Sequence, residues 1–277
     1  MPDTPMPDTP MSDTPTPDAP RPDTPAPDTP TTRTPRQEMA ARTRRSFMAL
    51  GAGAVAGVAG WEWLRNGPDA DGISSRFRRV LEFDEQVTSR TLFSNNHLAP
   101  VFERSRAGEP RPNGDEGLDD EIDNKDWRLE VTPYRSERPS HKMNIDEIRR
   151  MPKTEHVTEF KCIEGWSKVV HWAGVRLSDF AAAMAPGSEG ARFVGLQTPN
   201  EEYYAGIDMP SAMHPQTLLC YEMNGKDLAD EHGAPLRLIV PVKYGIKNLK
   251  RIGSIAFTDE RPADYWAERG YDYYAGL

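Results

Sequence analysis

The chain has 277 residues, a formal net charge of −9 and only two cysteines. This acidic balance, together with the lack of a basic stripe interleaved with aromatic residues, argues against a nucleic-acid-binding protein. The cysteines match neither a haem-attachment motif nor an iron–sulfur spacing, so electrons for any redox chemistry must come from another protein.

Residues 1–42 form a tail rich in Pro, Asp and Thr, built from successive pentapeptides of the type Met-Pro-Asp-Thr-Pro. Proline fixes φ and removes a hydrogen-bond donor, and so polar a segment cannot bury enough apolar surface to offset its chain entropy. We therefore expect a disordered, polyproline-like tail. A cell-wall or partner-binding role is one alternative. Another is a start of translation at Met39, which would omit residues 1–38.

Residues 43–64 have the pattern of a twin-arginine export signal. Arg44 and Arg45 are followed by Phe47 and then by a short run of Gly and Ala without an amphipathic period. This pattern predicts export by the twin-arginine translocase to the periplasm or an equivalent compartment. The run is short for a membrane span, so cleavage near Ala56 and retention as a membrane anchor both stay open. The route carries folded proteins, which suits an enzyme that receives a large cofactor before export.

Residues 65–87 are interpreted as a linker, and residues 88–277 as one domain of ordinary size. The stretch 104–126 is rich in Gly, Pro, Asp and Glu, which predicts a solvated surface loop. A calcium site is the minor alternative there, because the acidic spacing matches no known binding loop.

The elements of the domain follow in chain order. A helix is expected to begin with Asn144 as its N-cap and Glu147 three residues on, and to end at Pro152. The further predicted elements are a strand at 157–163, an Ala-rich helix from 178 to 186, strands at 192–197 and 217–223, an Asn224-Gly225 hairpin turn leading to Leu228, and strands at 237–242 and 252–258. This order predicts an α+β fold with a mixed sheet.

Cys162 stands at the end of the strand predicted at 157–163. A thiolate is a good ligand for a soft or high-valent redox metal, and the rim of a sheet is accessible to one. Glu164 places a carboxylate two residues on, where it either moves protons or remains a surface charge. Cys220 lies in an apolar run and is expected to be a small buried hydrophobe. A disulfide between the two cysteines is the alternative.

The isolated histidines lie at no metal-ligand spacing and are expected to be structural or superficial: His141, His156, His171 and His214.

Three segments carry a family resemblance: residues 160–167 around Cys162, residues 232–241 and residues 243–250. Together they resemble the molybdenum-pterin enzymes of the sulfite oxidase family. Over residues 88–277 the chain is most similar to the periplasmic methionine-sulfoxide reductase catalytic subunits. The resemblance implies the sulfite-oxidase-type molybdopterin-binding fold, a mixed sheet with flanking helices. It also implies a molybdenum–molybdopterin cofactor, two-electron oxygen-atom transfer that reduces S-oxides, and a membrane cytochrome b as electron donor.

The same resemblance implies a role for individual residues. Cys162 matches the metal ligand, and Glu164 is the second catalytic candidate. The implied cofactor contacts are Asn96, Cys162, Thr198, His232, Arg237, Asn248, Leu249 and Lys250. Arg237, Lys247 and Lys250 are expected to supply positive charge to the terminal phosphate of the cofactor.

Two features depart from the family. Sulfite oxidases follow the cysteine with a Gly-Asn-Arg stretch whose arginine binds sulfite, whereas this chain has Glu-Gly-Trp at 164–166, and a carboxylate there repels sulfite. Residues 106–126 and 203–204 also differ, which implies a different substrate pocket. The open alternatives are a molybdenum-dependent dehydrogenase of another small substrate and, in a different class, an exported metal-free binding or scaffold protein.

Overall fold

The structure is a computed structural model that describes residues 35–91, 93–119, 122–123, 125–135 and 139–277, with the backbone alone for residues 35–46 and 49. The chain divides into two compact units, residues 1–57 and residues 58–277. Residues 1–34 of the predicted disordered tail lie outside the described residues. The side chains of Arg44 and Arg45, on which the predicted export signal depends, also lie outside them.

The described residues contain the following α-helices: α1 (Pro35–Arg65), α2 (Ser75–Thr91), α3 (Ile145–Arg149), α4 (Leu177–Met184) and α5 (Met209–Ala212). The first unit contains the part of α1 that ends at Gly57. Apolar side chains of this part, such as Leu50 and Val55, are exposed. Among the helices that the structure describes, none combines the length and the apolar character needed to cross a membrane.

The strands that the structure describes in the second unit are β1 (Asp69–Ala70), β2 (Ile73–Ser74), β3 (Leu129–Thr132), β4 (His141–Met143), β5 (Lys153–Lys161), β6 (Ser167–Arg176), β7 (Phe193–Gln197), β8 (Tyr204–Asp208), β9 (Leu218–Met223), β10 (Lys226–Asp227), β11 (Arg237–Ile239) and β12 (Ser254–Thr258). Apart from the small β1–β2 hairpin, they form two five-stranded sheets.

We call the first of these the cleft sheet. Its order is β10-β9-β6-β5, with β11 also paired to β9, and every pairing in it is antiparallel. The second sheet has the order β4-β3-β12-β7-β8, and in it β12 runs parallel to β3 but antiparallel to β7. The predicted α+β class with a mixed sheet and flanking helices is therefore confirmed.

A main apolar core packs against both sheets, with Leu129 of β3, Phe180 of α4 and Ile255 of β12 fully buried in it. Side chains alternate along β11, so Leu238 enters this core while Arg237 faces the opposite side of the cleft sheet. That opposite side carries a smaller apolar cluster, and the cleft described below lies against it.

Local signals in the sequence predicted several elements well. Asn144 and Glu147 form a complete capping box at the start of α3. Asn224 and Gly225 have φ of 53° and 79°, and Lys226 pairs with Met223 across this two-residue turn, so the hairpin prediction is confirmed.

The stretch 65–87, interpreted as a linker, contains the β1–β2 hairpin and most of α2. Arg78 of α2 is buried and donates hydrogen bonds to the carbonyl oxygens of Ala267 and Tyr271, at 2.6 and 2.8 Å. Glu85 accepts two hydrogen bonds from Arg261, at 2.7 and 2.8 Å. These contacts fasten α2 to the C-terminal segment.

Candidate active site

One cleft of the second unit gathers most of the residues singled out from the sequence. Its total empty volume is about 880 Å³, including the open solvent at its mouth. Loop residues 110–116, the end of β5, β11 and the chain from 245 to 250 line it. The predicted site residues among its walls are Cys162, Glu164, His232, Arg237, Asn248 and Lys250.

Cys162 is delivered to the cleft by the tight turn between β5 and β6. Its N–H donates to the carbonyl oxygen of Trp166 at 2.9 Å, and its own carbonyl oxygen accepts from Gly165, whose φ of +89° suits glycine. The thiol is free and partly exposed. The side-chain nitrogen Nδ2 of Asn113 lies 3.7 Å from its sulfur.

Glu164 lies at the exposed rim of the same turn. Its carboxylate accepts a hydrogen bond from the indole Nε1–H of Trp166 at 3.2 Å, which holds the charge beside the mouth of the cleft. The ring of Trp166 in turn packs on Phe160, with centroids 5.9 Å apart. The carboxylate is therefore placed near Cys162 while remaining in contact with water.

Arg237 is the most unusual group in the cleft. Its side chain is 3% exposed, yet among the described residues it has no carboxylate partner. Two of its N–H groups donate to the carbonyl oxygens of His232 (3.0 Å) and Asn248 (3.4 Å), while the Nε atom has no acceptor. Burial lowers the pKa of Arg237 to about 10. A buried cation without an anion indicates a binding site for an anionic ligand.

His232 is a second buried polar group in the wall of the cleft. The residue is 1% exposed and its Nε2 has no hydrogen-bond partner in the described part of the chain. Burial lowers its pKa, and the nearby positive charge of Arg237 lowers it further. Carboxylate oxygens of Glu109 and Glu231 lie 3.8 and 3.7 Å from Nε2, beyond hydrogen-bonding distance. This ring is therefore ready to bind a polar group that enters the cleft.

Lys250 donates from Nζ to the carbonyl oxygen of Gly114 at 2.9 Å and so ties the loop to this wall. Burial lowers the pKa of Lys250 to about 8, and Arg237 contributes in the same direction. The Asn248 amide is fixed by the N–H of Val240 (2.6 Å) and the carbonyl oxygen of Tyr244 (3.1 Å). Asn248 is thereby fixed in the wall of the cleft.

Leu249 and Thr198 are buried and do not line the cleft. The carbonyl oxygen of Leu249 accepts from Leu238 at 2.8 Å, which attaches this segment to β11. The hydroxyl of Thr198 donates to Asn200 Oδ1 at 2.8 Å and accepts from the N–H of Tyr203 at 3.1 Å. Both residues thus support the walls from behind.

Asn96 lies elsewhere, exposed in a turn that does not reach the cleft. The asparagine beside Cys162 is Asn113, which sequence reasoning missed because residues 104–126 were interpreted as a solvated loop. The Asn-Gly pair at 113–114 indicates a tight turn within that loop, but no local pattern reports that this turn lies beside Cys162.

Lys247, expected among the phosphate-binding cations, is instead 1% exposed and forms a buried ion pair with Asp264. Its Nζ also donates to the carbonyl oxygen of Gly206 at 3.0 Å. The cations that line the cleft are therefore Arg111, Arg237 and Lys250, while Lys247 stabilises the fold through its ion pair with Asp264.

Cys220 is fully buried in the smaller apolar cluster, as predicted, and burial raises the pKa of its thiol to about 11. Both cysteines are free, so the disulfide alternative is wrong for this structure.

The cleft thus combines an accessible thiol with a buried guanidinium that has no anionic partner and an imidazole nitrogen that has no hydrogen-bond partner in the described part of the chain. These groups fit a cofactor that carries a metal at one end and a phosphate at the other. A thiolate is a ligand for the metal, and a guanidinium binds a phosphate through paired hydrogen bonds.

A family model and two relatives agree with this chemistry. Residues 116–266 match the family model described as "Oxidoreductase molybdopterin binding domain". A protein of Azospira oryzae named "Putative protein-methionine-sulfoxide reductase subunit YedZ1" is 34% identical over 75% of this chain and 79% of its own length. The protein-methionine-sulfoxide reductase catalytic subunit MsrP of Campylobacter jejuni is 29% identical over 87% of this chain and 82% of its own. The crystal structure of the sulfane dehydrogenase SoxCD from Paracoccus pantotrophus matches 51% of this chain and 40% of that chain, with 21% identity and a TM-score of 0.46.

Proposed function

Because the chain belongs to the family of oxidoreductases with a molybdopterin-binding domain, we propose that it reduces S-oxides such as methionine sulfoxide. It is a molybdenum-dependent oxidoreductase, and the bound cofactor supplies a metal that exchanges an oxygen atom and two electrons. The overall reaction consumes two electrons and two protons, converts the S-oxide to a sulfide and releases water.

The observation that carries the proposal is the placement in one cleft of Cys162 and of Arg237, which has no carboxylate partner among the described residues. Cys162 would hold the metal through its thiolate. Arg237 and Lys250 would bind the phosphate, and His232 and Asn248 would contact the pterin. Each assignment uses a group that is exposed to the cleft or lacks a partner among the described residues. A metal-free scaffold has no need to bury a guanidinium without a carboxylate.

The charge at the mouth supports an S-oxide rather than sulfite as substrate. A solvent-open cavity joins the cleft, and its walls carry carboxylates of Asp115, Glu116, Asp119 and Glu164 beside the indole of Trp266. An anion approaching Cys162 passes these charges and is repelled, whereas a neutral sulfoxide is not. The indole and the ring of Tyr271 offer apolar surface to the methyl and methylene groups of the substrate.

Glu164 is the group that we assign to proton supply. It stands at the rim beside Cys162, in contact with water and fixed by the Trp166 indole. A carboxyl group there can pass protons from solvent to the oxygen that leaves as water.

Export and the electron partner belong to the same proposal. The Arg44-Arg45 pattern and the Gly/Ala run support passage through the twin-arginine translocase to the periplasm, with cleavage or retention as an anchor both compatible. The chain has no haem-attachment or iron–sulfur motif, so a membrane cytochrome b is the proposed donor. The word "subunit" in the names of both relatives supports a partner of this kind.

The test uses protein produced with its own export and cofactor machinery. Metal analysis should give about one molybdenum per chain. With a reduced dye as donor, the protein should reduce methionine sulfoxide, and with an oxidised acceptor it should turn over sulfite far more slowly. Glu164→Gln should slow S-oxide reduction and lower the ratio of the S-oxide reduction rate to the sulfite oxidation rate. Rapid sulfite oxidation without S-oxide reduction, or protein without molybdenum, would contradict the proposal.

A further inference from the structure

The outward side of α2 carries an apolar stripe that is exposed to water. Val80, Phe83 and Val87 follow one another at spacings of three and four residues, which places them on one face of a helix. Val80 and Phe83 are 56% and 66% exposed, and Val87 is exposed as well. The other side of α2 is fastened to the C-terminal segment by Arg78 and Glu85. Folding therefore buries one side of this helix and leaves three apolar side chains in water.

Arginine side chains border the same stripe. Arg76, Arg79 and Arg90 each lie one helical turn from one of its members, which places them on the same face. Arg79 and Arg90 are exposed and form no ion pair or hydrogen bond with any residue that the structure describes. Of the acidic residues of α2, only Asp84 lies three or four positions from a member of the stripe. Three arginines thus face one carboxylate here, in a chain whose formal net charge is −9.

The end of α1 adds indole rings beside the first turn of α2. From Val58 onward α1 belongs to the same compact unit as α2, and both Trp61 and Trp63 are largely exposed. The guanidinium carbon of Arg76 lies 4.1 Å from the centroid of the Trp63 ring. Indole rings favour the boundary between lipid and water. These groups also lie beyond the possible cleavage point of the signal near Ala56, so they remain in the protein with or without cleavage.

We propose that this face of α2, which we call the α2 face (Arg76, Arg79, Val80, Phe83, Val87 and Arg90), binds the surface of an anionic lipid bilayer. A helix with an apolar stripe and a basic border lies in the plane of the interface, with its apolar side chains among the acyl chains and its cations at the headgroups. The excess of arginine complements the negative charge of anionic lipids. A second copy of the chain fits less well, because a two-fold interface would bring the arginines of both copies together. The inference does not rest on the proposed reduction of S-oxides.

The experiment measures binding of the full chain, loaded with its cofactor, to protein-free vesicles by flotation. The vesicles contain phosphatidylcholine with or without phosphatidylglycerol. One variant, Phe83→Gln, shortens the apolar stripe, and a double variant, Arg79→Gln with Arg90→Gln, removes two charges. The matched controls are Val101→Asn and Arg192→Gln, which change an exposed apolar residue and an exposed arginine outside α2.

Wild-type protein should float with the anionic vesicles and bind the neutral ones more weakly. Each arginine near an anionic surface contributes about fivefold to the affinity, so the double variant should bind about 25-fold more weakly. Loss of a buried phenyl ring should weaken binding by about tenfold in Phe83→Gln. Both controls should bind like the wild type. Circular dichroism spectra and thermal melts check that every variant is folded.

Three results would overturn the proposal. The first is equal vesicle binding by the wild type and both α2 variants, which would assign the binding to the apolar run of α1. The second is a failure to bind protein-free vesicles while membranes that keep their proteins retain the chain, which would make the partner a membrane protein. The third is a dimer, measured by light scattering, that Phe83→Gln dissociates without a change in vesicle binding. S-oxide reduction with a soluble dye should be unchanged in the α2 variants. If vesicle binding behaves as expected but the wild type reduces no S-oxide, the proposed function fails while the role of the α2 face stands.

Discussion

Replacing Arg237 by Met should separate cofactor binding from folding. The guanidinium is buried without a carboxylate partner among the described residues, and its pKa falls from 12.5 to about 10 because burial disfavours the charge. At about 1.4 kcal/mol per pKa unit, this shift corresponds to roughly 3 kcal/mol of electrostatic cost in the cofactor-free protein. Met removes that cost while keeping an extended side chain.

The same substitution removes hydrogen bonds to the carbonyl oxygens of His232 and Asn248. A buried carbonyl oxygen left without a donor costs about 1–3 kcal/mol. The two lost bonds together cost about 2–6 kcal/mol against a gain of roughly 3 kcal/mol, so the free energy of unfolding of the cofactor-free protein should fall by no more than about 3 kcal/mol. In the loaded protein the variant also loses charge-assisted bonds worth about 1.5–3 kcal/mol, and cofactor binding should weaken by about 10- to 150-fold.

The assay compares chemical denaturation of the cofactor-free variant with molybdenum and pterin content after production with the cofactor machinery. Arg192→Met, which changes an exposed arginine, is the matched control and should retain full content. Full pterin content in Arg237→Met would refute the phosphate assignment. A loss of more than about 4 kcal/mol in the cofactor-free variant would refute the idea that the charge is held at a cost for a ligand.

Cys162→Ser should fold and still hold pterin, yet lose turnover and change the molybdenum spectrum, because oxygen is a harder and less donating ligand; near-normal activity would contradict this. Cys220→Ser should leave that spectrum intact and lower the free energy of unfolding by about 1–3 kcal/mol, as denaturant titration would measure. Burial lowers the pKa of His156 and of His214, so the unfolded state binds protons more readily than the native state. The free energy of unfolding should therefore fall as the pH drops below about 6.5. A flat pH profile would exclude a contribution of these two rings to the pH dependence of stability. Lys247→Met should break the buried ion pair and destabilise the protein by about 3–5 kcal/mol, with the pterin content per folded chain unchanged. A selective loss of pterin would show instead that Lys247 contributes to cofactor binding.

The elements that could be predicted from the sequence are those whose cause is local. The capping box at Asn144 and the turn at Asn224-Gly225 depend on residues only a few positions apart, and both are present in the structure. The strand before Cys162 was expected at 157–163, whereas β5 starts earlier, at Lys153, because it pairs along its whole length with β6. Nothing in the local pattern reports that partner.

The residues of the candidate site also divide into those that a local sequence pattern indicates and those that tertiary contacts place. Cys162 and Arg237 belong to segments whose residue types and spacing are distinctive, and the structure brings both into one cleft. The positions of Lys247 and Asn113 depend on tertiary contacts. The ion pair of Lys247 is made with Asp264, and the loop of Asn113 is brought to Cys162 from 49 residues away. Neither contact leaves a periodic or spaced signature in the sequence.

The anchoring of α2 by Arg78 has a consequence for where this protein can be shortened. A truncation that begins at residue 88, where the sequence suggested that the domain starts, would delete the Arg78 guanidinium. The carbonyl oxygen of Tyr271 would lose its donor, and that of Ala267 would keep only the N–H of Gly270. Arg261 would lose the carboxylate of Glu85 at the same time. Trp266 and Tyr271 form part of the cleft wall. The loss of these contacts would therefore loosen that wall as well. We therefore expect a fragment that begins at β1, rather than at residue 88, to keep this wall of the cleft intact.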